Sequence, residues 1–81
     1  MSVESDDEFR DFMRGRWAAM VRLAYLLSGD QGHAEDMAQA AFSRVYRSWE
    51  RVRAAENPDA YLRTIVITAV RVLRQSLTGR T

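Results

Sequence analysis

The sequence predicts an all-α protein, a compact bundle of three main helices spanning about residues 6–28, 32–52 and 58–77. Three observations predict it. Apolar residues recur every three to four positions in three separate stretches, the period of one face of a helix. Residues that stop or start helices, Gly29 and Asn57-Pro58, stand between those stretches. One short β-branched run, Ile65-Val66-Ile67-Thr68, has strand character, but no second run exists for it to pair with, so it is read as helix.

The first helix opens at Ser5-Asp6-Asp7-Glu8, which has the form of a capping box with Ser5 outside the helix and its acids facing the dipole. Phe9, Phe12, Met13, Met20, Leu23, Ala24 and Leu27 follow at helical spacing until Ser28-Gly29 supplies a left-handed stop. Asp30 caps the second helix, whose apolar stripe is Met37, Ala38, Ala41, Phe42, Val45, Tyr46, Trp49 and Val52. Phe42, Tyr46 and Trp49 are assigned to the core, with Trp49 placed to serve an interface as well. A short polar linker, Arg53 to Glu56, leads to Asn57-Pro58, where Asn caps and Pro fits the first helical position. Tyr61, Leu62, Ile65, Val66, Ala69, Val72 and Leu73 carry the third stripe, and Thr78-Gly79 ends it.

Composition narrows the function classes. Eighty-one residues support one domain, which buries only about 60% of its unfolded surface. A content of 47% hydrophobic and 28% charged residues argues against a disordered tail. The absence of cysteine excludes disulfides, thiolate metal sites and a cysteine nucleophile. No apolar run approaches the roughly 20 residues of a membrane span, and the N-terminus is acidic where a signal peptide is basic, so a cytoplasmic protein with no membrane partner is expected. Charge is uneven: residues 1–36 carry four Arg against eight acids, and residues 37–81 carry eight Arg against three. The C-terminal half is therefore the candidate anion-binding half. All twelve basic residues are Arg, which fits a GC-rich genome as readily as bidentate phosphate contacts.

The run Gly29-Asp30 … Ala34-Glu35-Asp36-Met37-Ala38-Gln39-Ala40-Ala41-Phe42-Ser43-Arg44-Val45-Tyr46-Arg47-Ser48-Trp49, continued in register by Asn57-Pro58-Asp59-Ala60-Tyr61-Leu62-Arg63, resembles region 2 of extracytoplasmic-function (ECF) RNA polymerase sigma factors. The likeness covers roughly residues 8–76, and Leu23-Ala24-Tyr25-Leu26-Leu27-Ser28-Gly29-Asp30 looks like the actinobacterial members. It implies a single sigma-2 domain over residues 1–81. Its helix at about 34–49 docks on the clamp helices of the largest polymerase subunit, and its loop and helix at about 51–74 read the promoter −10 element. The family's second helical domain, which reads the −35 element, is expected to be absent from this chain.

By that resemblance Asp36 and Gln39 match an Asp-x-x-Gln pair central to polymerase docking, and Glu35, Ser43 and Arg47 complete the set. Positions three and four apart share one helix face, where an acid and an amide can meet a partner's Arg and backbone. The non-template DNA strand is assigned to Arg51, Arg53, Asn57, Tyr61, Arg63, Thr64, Thr68, Arg71 and Arg74, with Arg80 extending the track. Single-strand capture needs cations along the phosphates, a stacking surface and polar groups at a base edge, which Arg, Tyr61 and Asn57 supply in turn. An anti-sigma factor that covers these same faces is a further partner known in the family.

Three positions depart from the family pattern: Ala40 stands where an acid is usual, Thr68 where Asn is common, and Val72 where an aromatic or polar residue is frequent. They keep open an alternative, a helical protein-interaction module whose promoter binding is weakened or lost. A helix-turn-helix reader of duplex DNA expects a shorter turn than Arg53 to Asn57. An enzyme is not expected: His33 is the lone histidine, no Gly-rich phosphate loop is present, and the adjacent Glu35 and Asp36 diverge around a helix. For the same reasons no cofactor, catalytic residue, metal site or small-molecule substrate is assigned; Asp30, His33 and Asp36 lack a fourth committed ligand.

Overall fold

The computed structural model describes residues 3–78, which form four helices: α1 (Val3–Ser28), α2 (Gln31–Arg47), α3 (Trp49–Arg53) and α4 (Pro58–Thr78). The three long helices pack mutually, and the one-turn α3 bridges α2 to α4. At 1.5 Å per residue the 26 residues of α1 span about 39 Å, which accounts for most of the 45 Å long axis.

Local chemistry explains two of the three boundaries. Gly29 adopts φ +73°, a conformation glycine takes without a Cβ penalty, and its N–H donates to the Tyr25 carbonyl at 2.7 Å. Asp30, extended at φ −128°, accepts from the His33 N–H at 3.2 Å and so caps α2. Asn57 Oδ1 accepts from the Ala60 N–H at 3.1 Å, which starts α4 at Pro58 as expected.

The other boundaries correct the expectation. Ser5 is not a cap: it lies inside α1 and is buried, its hydroxyl donating to Glu50 at 3.5 Å and accepting from Arg53 Nη1 at 3.3 Å. Glu8, expected to close the box, pairs instead with Arg53 at 3.3 Å. The second helix does not run unbroken to residue 52. Ser48 leaves helical geometry at φ −111°, ψ 22°, and α3 begins after it. Serine is a weak interior helix former, and its own N–H still closes onto the Arg44 and Val45 carbonyls, so the break leaves no orphan donor there. Arg51 to Arg53 is consequently helical, and the linker shifts by one residue to 54–57. The expected stop at Gly79 and the expected contact of Arg80 lie outside the described residues.

Phe42, Leu62, Val45, Val52 and Val66 are fully buried, with Met20, Ala24, Ala34, Met37, Ala38, Ala41, Trp49 and Val70 completing the core. Each large apolar side chain so buried contributes about 1.5–3 kcal/mol. Small residues on α2 let α1 and α4 approach it from either side. Trp49 is purely core: it meets Phe9 edge-on at 5.6 Å and Phe12 at 5.2 Å, and among the described residues its Nε1 has no hydrogen-bond partner. Three stripe members are exposed instead, Leu27, Tyr46 and Val72, and Val70 takes the inward place expected of Val72. The cause for Val72 is rotational: Leu62, Val66 and Val70 repeat every four residues, and Val72 falls about 80° from the first of them.

Two polar clasps tie the helices. Arg16 of α1 holds Asp59 at the start of α4 in a two-pronged pair, Nε on Oδ1 and Nη2 on Oδ2 at 3.3 Å, while its guanidinium lies 4.0 Å over the Phe12 ring. Arg53 gathers Glu8, Glu50 and Ser5, joining α3 to the start of α1.

Candidate functional site

The α2 face opposite the core carries the expected docking residues as a ridge between grooves. Glu35, Asp36, Gln39, Ser43 and Arg47 are all exposed. Among the described residues none of their side chains is held by a hydrogen bond or ion pair. On one side α2 and α4 enclose a groove of about 650 Å³ whose lining includes Asp36, Ser43 and Arg47. On the other, α1 and α2 enclose one of about 400 Å³ lined by Gln39, Ser43 and Arg47 with Phe9, Met13, Trp17, Phe42 and Tyr46. Ser43 and Arg47 therefore form the shared crest. Glu35 stands apart, lining a third recess of about 460 Å³ with Trp17 and Tyr25.

The ends of this ridge have defined electrostatics. His33 Nδ1 lies 2.6 Å from Asp30 Oδ2, and that bond lifts the imidazole above its ordinary value while lowering the Asp30 carboxyl. Tyr46 donates to Asp6 Oδ1 at 3.1 Å, and the bond to the carboxylate raises the phenol, since only the neutral hydroxyl can donate.

The nucleic-acid candidates divide into three groups. Arg51, Arg63 and Arg71 are exposed, and among the described residues they form no ion pair. Thr64, Thr68 and Arg71 follow one another at helical spacing on the side of α4 opposite Leu62 and Val66, so this stripe faces solvent. The hydroxyls of Thr64 and Thr68 donate to the carbonyls four residues back, at 3.0 and 2.9 Å, leaving lone pairs outward. A second group already has structural duties. Arg53 is the clasp described above, Arg74 Nη1 reaches the Leu27 carbonyl at 3.5 Å, and Asn57 Oδ1 caps α4, so its amide hydrogens are what it can offer a base. Tyr61 forms the third: it is half-buried and packs on the core cluster from the flank of α4 that also carries Ile65.

Sequence reasoning missed Arg16, Asp59 and Ser5, whose partners are more than forty residues distant. Asp59 carried the one available signal, an acid in the first turn of α4. The Arg16 guanidinium holds the Asp59 carboxyl below its ordinary value.

A four-helix chain with a polar ridge on α2 and a basic, threonine-bearing face on α4 agrees with the family whose model matches residues 9–77, Sigma-70 region 2, and the chain belongs to that family. Among curated proteins it is similar to the RNA polymerase sigma-E factor of Streptomyces coelicolor, 38% identical over 60 residues that make up 74% of this chain and 34% of that protein. The factors of the same name from Streptomyces avermitilis and Streptomyces antibioticus are each 37% identical over 74% of this chain, covering 34% and 33% of their own lengths. The chain thus spans about a third of the length of the curated relatives it matches. No solved structure gives a significant match. The resemblance to ECF sigma region 2 is borne out, and with it the all-α fold. Among the described residues no helix is long and apolar enough to cross a membrane.

Proposed function

We propose that this chain acts in transcription initiation, docking on the clamp helices of RNA polymerase through the α2 ridge and capturing the non-template strand of the −10 element on α4. The observation that carries the reading is the ridge itself. A row of exposed polar side chains, Asp36, Gln39, Ser43 and Arg47, stands between two apolar-floored grooves on the helix where family membership expects the polymerase contact. The single strand would run over Arg51, Arg63, Thr64, Thr68 and Arg71, with Tyr61 and the Asn57 amide at the extruded base. Flipping a base costs a few kcal/mol, offset by stacking of about 1–3 kcal/mol per base. Arg53 and Arg74 brace this surface through their bonds to α1.

The test is binding of the chain to a clamp-helix fragment from its host's polymerase. An Asp36→Arg, Gln39→Ala double variant, its fold checked by circular dichroism, serves as the comparison. Saturable binding lost in the folded double variant is the expected result; no binding by the unaltered chain refutes the reading.

A second reading has an observation of its own. The donors of Thr64 and Thr68 are spent on the helix backbone and Val72 stands exposed and apolar, which fits a module that meets only a protein partner. Single-stranded promoter DNA discriminates the two: log affinity falling steeply with log salt removes the second reading, and its absence removes the first.

A further inference from the structure

Two residues that the sequence placed on separate surfaces, Ala40 of α2 and Val72 of α4, line one groove. Its remaining apolar lining is Met37, Ala69 and Leu73, and its volume is about 650 Å³, room for more than one large side chain. Val72 is 58% exposed, and on the α2 wall of the same groove the side chain of Ala40 is a single methyl. An apolar side chain that entered would be flanked on both sides by hydrocarbon.

The rim states what kind of molecule fits. Arg44 and Arg47 stand at one end and form no ion pair among the described residues, while Asp36 and His33 stand at the other. From Asp36 to Arg47 is about 16 Å along α2, three turns of helix. Nucleic acid fits poorly, because the exposed lining is mainly hydrocarbon and Asp36 repels phosphate. The complement is a protein helix with an apolar row, a carboxylate at the Arg44 and Arg47 end, and a base at the Asp36 end. Helix dipoles favour acids at N-termini and bases at C-termini, so such a helix would lie antiparallel to α2.

We propose that the polymerase element that meets Asp36 and Gln39 also seats an apolar anchor between Ala40 and Val72. Val72 then belongs to the protein-docking surface and not to the DNA-reading face. The inference rests on the polymerase-docking reading and deepens it.

Titration calorimetry of the full chain against the clamp-helix fragment tests it, using Ala40→Trp to fill the groove and Val72→Asp to charge its wall. Both positions are exposed, and circular dichroism checks that each variant keeps its helices. Each is expected to weaken binding by about tenfold or more, as for a central anchor at a protein interface. If both bind like the unaltered chain while the Asp36→Arg, Gln39→Ala variant does not, the anchor is refuted and the docking reading stands. If the unaltered chain does not bind, both fall.

Discussion

Two arginines two positions apart, Arg51 and Arg53, are expected to respond to truncation in opposite assays. Arg53 sits 3.3 Å from Glu8, 3.5 Å from Glu50 and 3.3 Å from the Ser5 hydroxyl, whereas Arg51 is exposed and unpaired among the described residues. Arg53, Glu8 and Glu50 are 39%, 49% and 71% exposed, so solvent screens both ion pairs heavily and each is worth about 0.2–1 kcal/mol. With the Ser5 bond added, Arg53→Ala should cost on the order of 1 kcal/mol, or about 4–8 °C in melting temperature for a domain of this size. Arg51→Ala should leave the melt within error. On single-stranded promoter DNA the order inverts: losing Arg51 should lower the slope of log affinity against log salt by about 0.7, the contribution of one phosphate contact, while Arg53→Ala keeps the slope. Thermal melts by circular dichroism and fluorescence anisotropy over a salt series read the two effects separately. If Arg53→Ala melted normally and lowered the salt slope, the assignment of Arg53 to the scaffold would be wrong.

The Arg16 and Asp59 pair should show coupling of about 0.2–1 kcal/mol in a double-mutant cycle of Arg16→Gln and Asp59→Asn, measured by urea unfolding. Asp59→Asn alone should cost more than Arg16→Gln, because it also removes an acid from the first turn of α4. Since the Asp59 carboxyl is lowered from its ordinary 3.8, its contribution is present above that value and is lost as pH falls through the folded value. Asp59→Asn should therefore flatten the acid limb of the stability curve, and an unchanged limb would contradict the pairing. Gly15→Ala should raise stability by about 0.5–1 kcal/mol, because a Cβ at this exposed mid-helix position meets nothing within 4 Å. A destabilised Gly15→Ala would show that α1 is not continuous there.

What could be read in the sequence was what neighbouring residues decide. Gly29, Asp30 and Asn57 act on backbone groups within four positions, so their roles were visible from spacing alone. Ser5 misled for the converse reason. Its surroundings spell a cap, but partners 45 and 48 residues away take its hydroxyl into the fold. The break at Ser48 was hidden because the apolar stripe continues through it, with Val45 buried before it and Trp49 and Val52 buried after it. That the candidate residues of α2 share one exposed face was legible, and the company they keep was not. That Ser43 and Arg47 crest two grooves, or that Val72 and Ala40 line the same one, follows from how far apart the helices pack, which no single stripe encodes.

The buried indole of Trp49 gives the molecule a built-in optical gauge. An indole walled by Phe9 and Phe12 and only 4% exposed emits at short wavelength, and water reaching it shifts that emission to the red. The second tryptophan, Trp17, is half-buried and lines the groove beside Gln39 and Arg47, where an arriving ligand would alter its signal. Trp17→Phe would therefore leave a chain whose colour reports the integrity of the interior, and Trp49→Phe one whose colour reports occupancy of the outer face.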